Sequence, residues 1–329
     1  MRRRTVLVAA GVALAGPAIV GAQAVRAQAW PAQPIRLVVA FPPGGPTDVY
    51  GRLFGERLGR ALGQPVVIEN KAGAAGIIGS AGVARARADG YTLLFGTGST
   101  QALYASMTDK PEYDILKDFT YVGHVGGGPA AFVGNLAQPD SLKGLLDAAR
   151  AKPGALSYGS PGTGTLLHLT TERLKAAAGG VEITHVPYRG SGPAMTDLLA
   201  GQIAMMATTL GSALPFQTSG KARLLAVATA QRTALAPTVP TVSETLGGVP
   251  FEAVLWHCLA GPAGLPPEVV GRLAAATRET MNDPALLKAL AEQGIVPVTN
   301  STPESTVIFV RGEIERWAPI VKAAGVRME

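Results

Sequence analysis

Val38 to Gly63 reads VVAFPPGGPTDVYGRLFGERLGRALG. An apolar run enters a Pro-Pro-Gly-Gly turn, and Thr47 and Asp48 follow as helix-start residues. From there Val49, Leu53, Phe54, Leu58, Ala61 and Leu62 share one helical face, with Arg52, Glu56, Arg57 and Arg60 off it. The spacing predicts a strand, a tight turn and an amphipathic helix. Such a turn is suited to an anion, because helix-start N–H groups lack intrahelical partners and the helix dipole favours negative charge. No lysine follows the glycines, as a P-loop needs, and GxGxxG is absent, so the turn is built for something smaller than a nucleotide.

The same alternation continues on both sides of this stretch. PIRLVVAF, QPVVIEN, GYTLLFGT and FTYVGHVG read as short strands with helical spacing between them. A second series runs AAFVGN, LKGLLDAARAKPGA, LSYGS, TLLHLTTERLKAAAG, ITHVPY, GPAMTDLLAGQIAMMAT and ARLLAVAT. The pattern predicts two α/β units. A proline-rich connection, PTVPTVSETLGGVP, then precedes one more strand, FEAVLWHCLAGP, and two helices that need a sheet to pack on. The first unit is the natural host. The chain is therefore expected to cross to a second lobe near Gly126 to Pro129 and to return near Gly247. Lobe 1 would be residues 30–126 with 247–329, and lobe 2 residues 127–246, joined by a hinge with two crossings. The glycines at 126–128 suit such a crossing or a surface turn.

Length and composition set the class. At 329 residues and 47% hydrophobic content, the chain can bury cores for about two domains. Its first residues place Arg2, Arg3 and Arg4 before an apolar run and end in Ala27-Gln28-Ala29, the pattern of a signal peptide cut after Ala29. The consecutive arginines fit either the general or the twin-arginine export route. Gly16, Pro17 and Gly21 break the apolar run short of the ~20 residues a span needs. Loss of Arg2, Arg3, Arg4 and Arg26 leaves 25 basic against 23 acidic residues, a net +2 in place of +6. That charge excludes the basic footprint of a nucleic-acid binder. One cysteine, Cys258, gives no intrachain disulfide and no zinc spacing, and no cofactor motif is present. The expected location is the periplasm.

A second glycine-rich turn before a helix lies at SYGSPGTGTLLHLTTERL, Ser157 to Leu174. Ligands of open α/β sheets bind beyond the carboxyl ends of the strands, so two such turns facing each other across a cleft would grip a doubly charged anion. Thr97, Ser99, Thr100 and Gln101, in FGTGSTQAL, add neutral donors on the first side. Ser160, Thr163, Thr165 and His168 add them on the second. Asp48 would repel an anion and is assigned to the first-turn dipole position, pointing away. Enzymatic patterns are weak: G-x-S-x-G and H-E-x-x-H are absent, and the four histidines lack ligand spacing. His257 and Cys258 are strand neighbours that should point to opposite faces, against a Cys-His dyad.

With both turns in view, the sequence resembles the Bug receptors, the periplasmic solute receptors of tripartite tricarboxylate transporters. The resemblance is carried by PIRLVVAFPPGGPTDVYGRLFGERLGRALGQPVVIENKAGAAGIIG, ADGYTLLFGTGST, PGALSYGSPGTGTLLHL, HVPYRGSGPAMTDLLAGQI, VPTVSET, PAGLP and EIERWAPIVKAAGV, in order. It implies a two-lobed Venus-flytrap receptor that closes on a small carboxylate and delivers it to a membrane permease of that type. It also implies that the loop from Phe41 to Asp48 lines the cleft, with Gly44, Gly45 and Thr47 on the ligand. Opposite them it sets Gly162, Thr163, Gly164 and Thr165, and it brings in Thr97, Ser99 and Gln101 from the GTGST turn.

Two departures bear on the ligand. Relatives often carry aspartate-asparagine where this chain has Thr208-Thr209; without that carboxylate an amino-acid ammonium has no partner, which suits a plain dicarboxylate or aromatic acid and places Thr208 among the site candidates. Where relatives commonly show Phe-Gly after the tryptophan, this chain has His257-Cys258, and His257 is a candidate for altering specificity. Two other functions remain open at this level: a receptor that docks on a sensor kinase, and an exported hydrolase using a cleft serine or His257-Cys258.

Overall fold

The computed structural model describes residues 30–328. The expected leader, residues 1–29, lies outside the described residues. Strand β1 (Ile35–Val39) leads into helix α1 (Pro46–Leu62), and the chain returns as β2 (Val66–Asn70). Gly63, at φ 74°, ends α1 by donating to Arg60 O while Gln64 donates to Gly59 O, a closure only a left-handed residue permits. Helix α2 (Ile77–Ala84), β3 (Thr92–Thr97) and the single turn α3 (Gly98–Gln101) follow, and then the long strand β4 (Phe119–Gly134). Beyond it come α4 (Leu142–Ala151), β5 (Ser157–Ser160), α5 (Leu166–Ala177), β6 (Thr184–Pro187) and α6 (Ser191–Leu199). The series continues with β7 (Met205–Thr209), α7 (Leu210–Thr218), β8 (Arg223–Val227) and α8 (Val242–Thr245). Strand β9 (Val254–Pro262), α9 (Pro267–Met281), α10 (Pro284–Glu292), β10 (Val296–Pro297) and α11 (Pro303–Ala323) complete the chain.

These elements make the expected two-lobed α/β fold. In the first sheet β2, β1 and β3 are parallel, β9 runs antiparallel to β3, and β4 runs antiparallel to β9. In the second, β4 lies between β7 and β8, with the parallel strands β5 and β6 beyond β7. Strand β4 therefore belongs to both sheets. Its partner changes between Pro129, opposite Val254, and Ala130, opposite Thr209. There the returning chain is stitched in: Ala130 N–H donates to Ala253 O, and Ala253 N–H to Ala228 O. Arg173 of α5 and Arg316 of α11 both donate to the Glu252 carbonyl beside that stitch.

Two details differ from the sequence expectation. FTYVGHVG and AAFVGN are one strand, so Gly126–Gly128 is a crossing in extended chain and not a turn. Close neighbours demand the glycines there: a Cβ on Gly127 would lie 2.4 Å from Leu255 O, and one on Gly126 2.1 Å from Val296 O. A third late helix, α10, also forms, begun by Asp283, whose carboxylate accepts the Leu286 N–H. Pro284 sits at its first turn, where a missing N–H costs nothing.

Strand alternation sorts the core. Leu37, Val39, Phe95 and Leu259 pack with Tyr50 and Phe54 of α1 and Leu273 of α9. Their neighbours Val38, Leu94 and Cys258 face the other cluster, with Trp256, Val310 and Trp317. His257 stacks on Phe95 while Cys258 lies in that second cluster, so the two point apart as their spacing predicts.

Candidate functional site

Three helix N-termini, rather than two, meet between the lobes. Helix α1 starts at Gly45, which has no side chain to cap it, and its first helical bond is Val49 N–H to Gly45 O. The amides of Thr47 and Asp48 therefore have no intrahelical acceptor. Helix α5 starts at Thr165, which caps it with its own hydroxyl, and α6 starts at Gly190, which has no side chain to cap it. Gly190 has φ 104°, and Pro193 occupies the first turn of α6, where its missing N–H is harmless. Gly45, Thr47, Ser99, Thr165, Gly190 and Ser191 all line one small cavity of about 40 Å³, whose lining includes no charged side chain.

The hydroxyls on this cavity are not equivalent. Thr165 Oγ1 donates to Gly162 O at 2.8 Å and accepts His168 N–H at 3.3 Å, so it is engaged as an N-cap. Ser99 Oγ accepts the Leu166 N–H at 2.9 Å, which leaves its own proton for the cavity. Thr47 Oγ1 lies 3.2 Å from His257 Nε2. His257 is packed between Phe95 and Tyr50, and its Nδ1 has no partner. A buried unpaired N–H costs more than a buried unpaired acceptor, which assigns the proton to Nε2. Thr47 then accepts from His257, and its own O–H is free to donate to a ligand.

The nearest carboxylate is held back from the cavity. Asp48 accepts Gly44 N–H and Arg52 Nε on one oxygen and Asn70 Nδ2 on the other. Burial alone would raise its pKa, but the hydrogen bonds from Arg52, Gly44 and Asn70 outweigh it and hold the carboxyl below its usual value. Asp48 thus braces the Pro-Pro-Gly-Gly turn, as its assignment to a structural role requires. The same contact occupies the Gly44 amide. The buried histidines stay neutral: burial, with His185 adding to it, lowers His168 to about 4. Burial with His124 nearby lowers His257 to about 3.

The other expected residues divide by position. Phe41 walls the central cavity and also an outer cleft of about 690 Å³ that holds Gly162 and Thr163. Gly44 and Thr208 line a groove of about 380 Å³ on the opposite side. Thr208 is buried, and its Oγ1 has no partner. The remaining candidates line none of these spaces. Gln101 turns inward to accept the Tyr121 hydroxyl at 2.6 Å, and Thr97 is buried behind it at the end of β3. Ser160 pairs with His185 at 2.7 Å and accepts Gly162 N–H, which shapes the turn from within. Gly164 N–H donates to His168 Nδ1 at 3.1 Å, so both serve the start of α5. The α6 N-terminus went unrecognised in the sequence, although Arg189-Gly190-Ser191-Gly192-Pro193 carries its signal: glycine at the cap and proline in the first turn.

A two-lobed α/β fold with uncapped helix ends converging between its lobes defines the class of solute-binding receptors. The chain belongs to the tripartite tricarboxylate transporter receptor family, whose sequence pattern matches residues 51–326. Protein BugT of Bordetella pertussis is 38% identical over 302 residues, 91% of this chain and 92% of BugT. The structure of the periplasmic binding protein BugD is similar at a TM-score of 0.86 and 32% identity, covering 91% of this chain and all of BugD. An R. palustris protein solved with adipate matches at a TM-score of 0.86 and 34% identity, over 91% of this chain and 99% of its own. Among the described residues no helix is long and apolar enough to cross a membrane.

Proposed function

We propose that this chain is a periplasmic, non-catalytic receptor that closes on the carboxylate of a small dicarboxylate or aromatic acid and presents it to a tripartite tricarboxylate-type permease. One observation carries the reading: the N-termini of α1, α5 and α6, with the free O–H groups of Ser99 and Thr47, converge on a cavity whose lining is uncharged. Each helix end acts as about half a positive charge, so three of them balance a carboxylate without a cationic side chain. Adipate in the R. palustris relative is consistent with this.

The cavity of about 40 Å³ is far below the ~300–1,000 Å³ of small-molecule pockets, so entry requires the lobes to part. In this reading residues 30–126 with 247–329 move against 127–246, bending where β4 changes partner. Binding then selects the closed arrangement, which is the form a permease would recognise. The hydrolase alternative loses its pair, since His257 and Cys258 face different clusters and burial raises the Cys258 thiol far above its usual value.

The test is a thermal-shift screen of the chain from Trp30 onward, stripped of co-purified ligand, against dicarboxylates, tricarboxylates, aromatic acids and amino acids, alongside ester substrates. Saturation at ~1,000 times the dissociation constant adds about 4 kcal/mol, a shift of several degrees. A selective shift with one carboxylate class and no ester turnover is expected. No shift with any acid would overturn the reading.

A further inference from the structure

The central cavity accommodates one carboxylate, and the remainder of such a ligand has to leave it by one of two contiguous spaces. The groove of about 380 Å³ shares Pro46, Ser191 and Gly192 with the cavity, and none of its lining side chains is charged. The outer cleft of about 690 Å³ shares Phe41, Pro42, Pro161 and Gly190 with it. Arg189 is the single charged residue lining that cleft. It is exposed, and among the described residues it makes no ion pair or side-chain hydrogen bond. Its neighbours cannot neutralise it: Tyr188 donates its hydroxyl to Asp197 at 2.7 Å, and the rest of the wall is Phe41, proline, alanine, glycine, Thr163 and Met328.

The backbone next to Arg189 is packed against the first lobe. Arg189 directly precedes Gly190, the cap of α6, where an added Cβ would lie 2.9 Å from Pro42 Cγ. This packing sets the Arg189 backbone beside Pro42, which walls both the central cavity and the outer cleft.

We infer that Arg189 is the specificity residue for a second anionic group. The ligand is a dianion: one carboxylate sits among the helix ends, an apolar spacer runs along Phe41 and Pro42, and the second carboxylate meets Arg189 in the outer cleft. This rests on the carboxylate reading above and adds to it the direction and chemistry of the ligand's far end. A guanidinium pairs with a carboxylate in a planar two-point contact that an amide cannot replace.

The experiment is calorimetric titration of the chain from Trp30 onward, and of Arg189→Gln and Arg189→Lys, with a straight-chain α,ω-diacid series and the matching monoamides. The expected result is that the wild type binds its preferred diacid about tenfold more tightly than the monoamide, about 1.4 kcal/mol. Arg189→Gln erases that preference and leaves monoamide affinity unchanged, while Arg189→Lys keeps part of it. A preference that survives Arg189→Gln, or a wild type that binds diacid and monoamide alike, overturns the role of Arg189 and leaves the carboxylate receptor standing. A wild type that binds neither overturns the dianion inference, and the carboxylate reading falls with it only if the aromatic acids and tricarboxylates of the thermal-shift screen also give no shift.

Discussion

Ser99 Oγ accepts the Leu166 N–H at 2.9 Å, a hydrogen bond from the first lobe to the helix start of the second. It joins the lobes at the site itself, and it turns the Ser99 proton toward the cavity. Ser99→Ala leaves a buried N–H unpaired, a cost of about 1–3 kcal/mol, and removes one donor to the ligand. Carboxylate affinity is expected to fall about tenfold or more by calorimetry, with the unliganded melting point lower by several degrees. An unchanged affinity would remove Ser99 from the site.

His257 acts through Thr47. His257→Phe keeps an aromatic ring against Phe95 and Tyr50 but withdraws the N–H that fixes the Thr47 hydroxyl. Affinity should drop several-fold while the melting point holds or rises. In a Thr47→Val background the same change should have no further effect on affinity, since the pair is one unit in a double-mutant cycle. Additive losses would mean that His257 reaches the ligand by another route.

Gly98 sits where the lobes touch. A Cβ there would lie 2.7 Å from Leu166 Cδ1 and 3.0 Å from Trp256 Nε1, all in buried surroundings. Gly98→Ala is therefore expected to hold the lobes apart: more than tenfold weaker binding, and a larger radius of gyration by small-angle scattering in the presence of ligand. Wild-type compaction on adding ligand to Gly98→Ala would exclude this contact as the closing point.

Acid sensitivity follows from the buried histidines. Burial lowers His124 and His168 to about 4, and His257 to about 3, against an unfolded value near 6.5. Between those values the unfolded chain binds protons that the folded chain does not, so stability is fully present above about pH 6.5 and is lost as pH falls toward 4 and then 3. Melting points recorded over that range should decline, and less steeply in His257→Phe. Equal slopes for both proteins would show that His257 is not the neutral group its burial requires.

Much of this architecture is legible from period and turn chemistry. The alternation from Pro34 to Val227 marks nearly every strand and helix, because half-buried strands and amphipathic helices write their burial into the sequence. The Pro-Pro-Gly-Gly turn and the turn before α5 likewise announce themselves through glycine and capping residues. What local patterns do not carry is which way a hydroxyl faces. Ser99 and Gln101 sit two residues apart in the same turn, yet one meets the cleft and the other bonds Tyr121, a choice made by a residue on a distant strand. The Thr47 to His257 contact joins positions 210 residues apart and depends on how β9 inserts beside β3. The glycines of β4 suit a crossing or a turn equally from sequence, because the strands that crowd them come from elsewhere in the chain.

That β4 serves both sheets has a consequence for how the molecule comes apart. Melting the first sheet strips β9 and β10 from a strand on which β7 and β8 of the second also depend. Neither lobe owns a complete set of ladders, so neither can be excised as a unit by cutting the chain at a loop: the cut would fall in mid-strand. Loss of order in one lobe therefore propagates to the other through shared backbone.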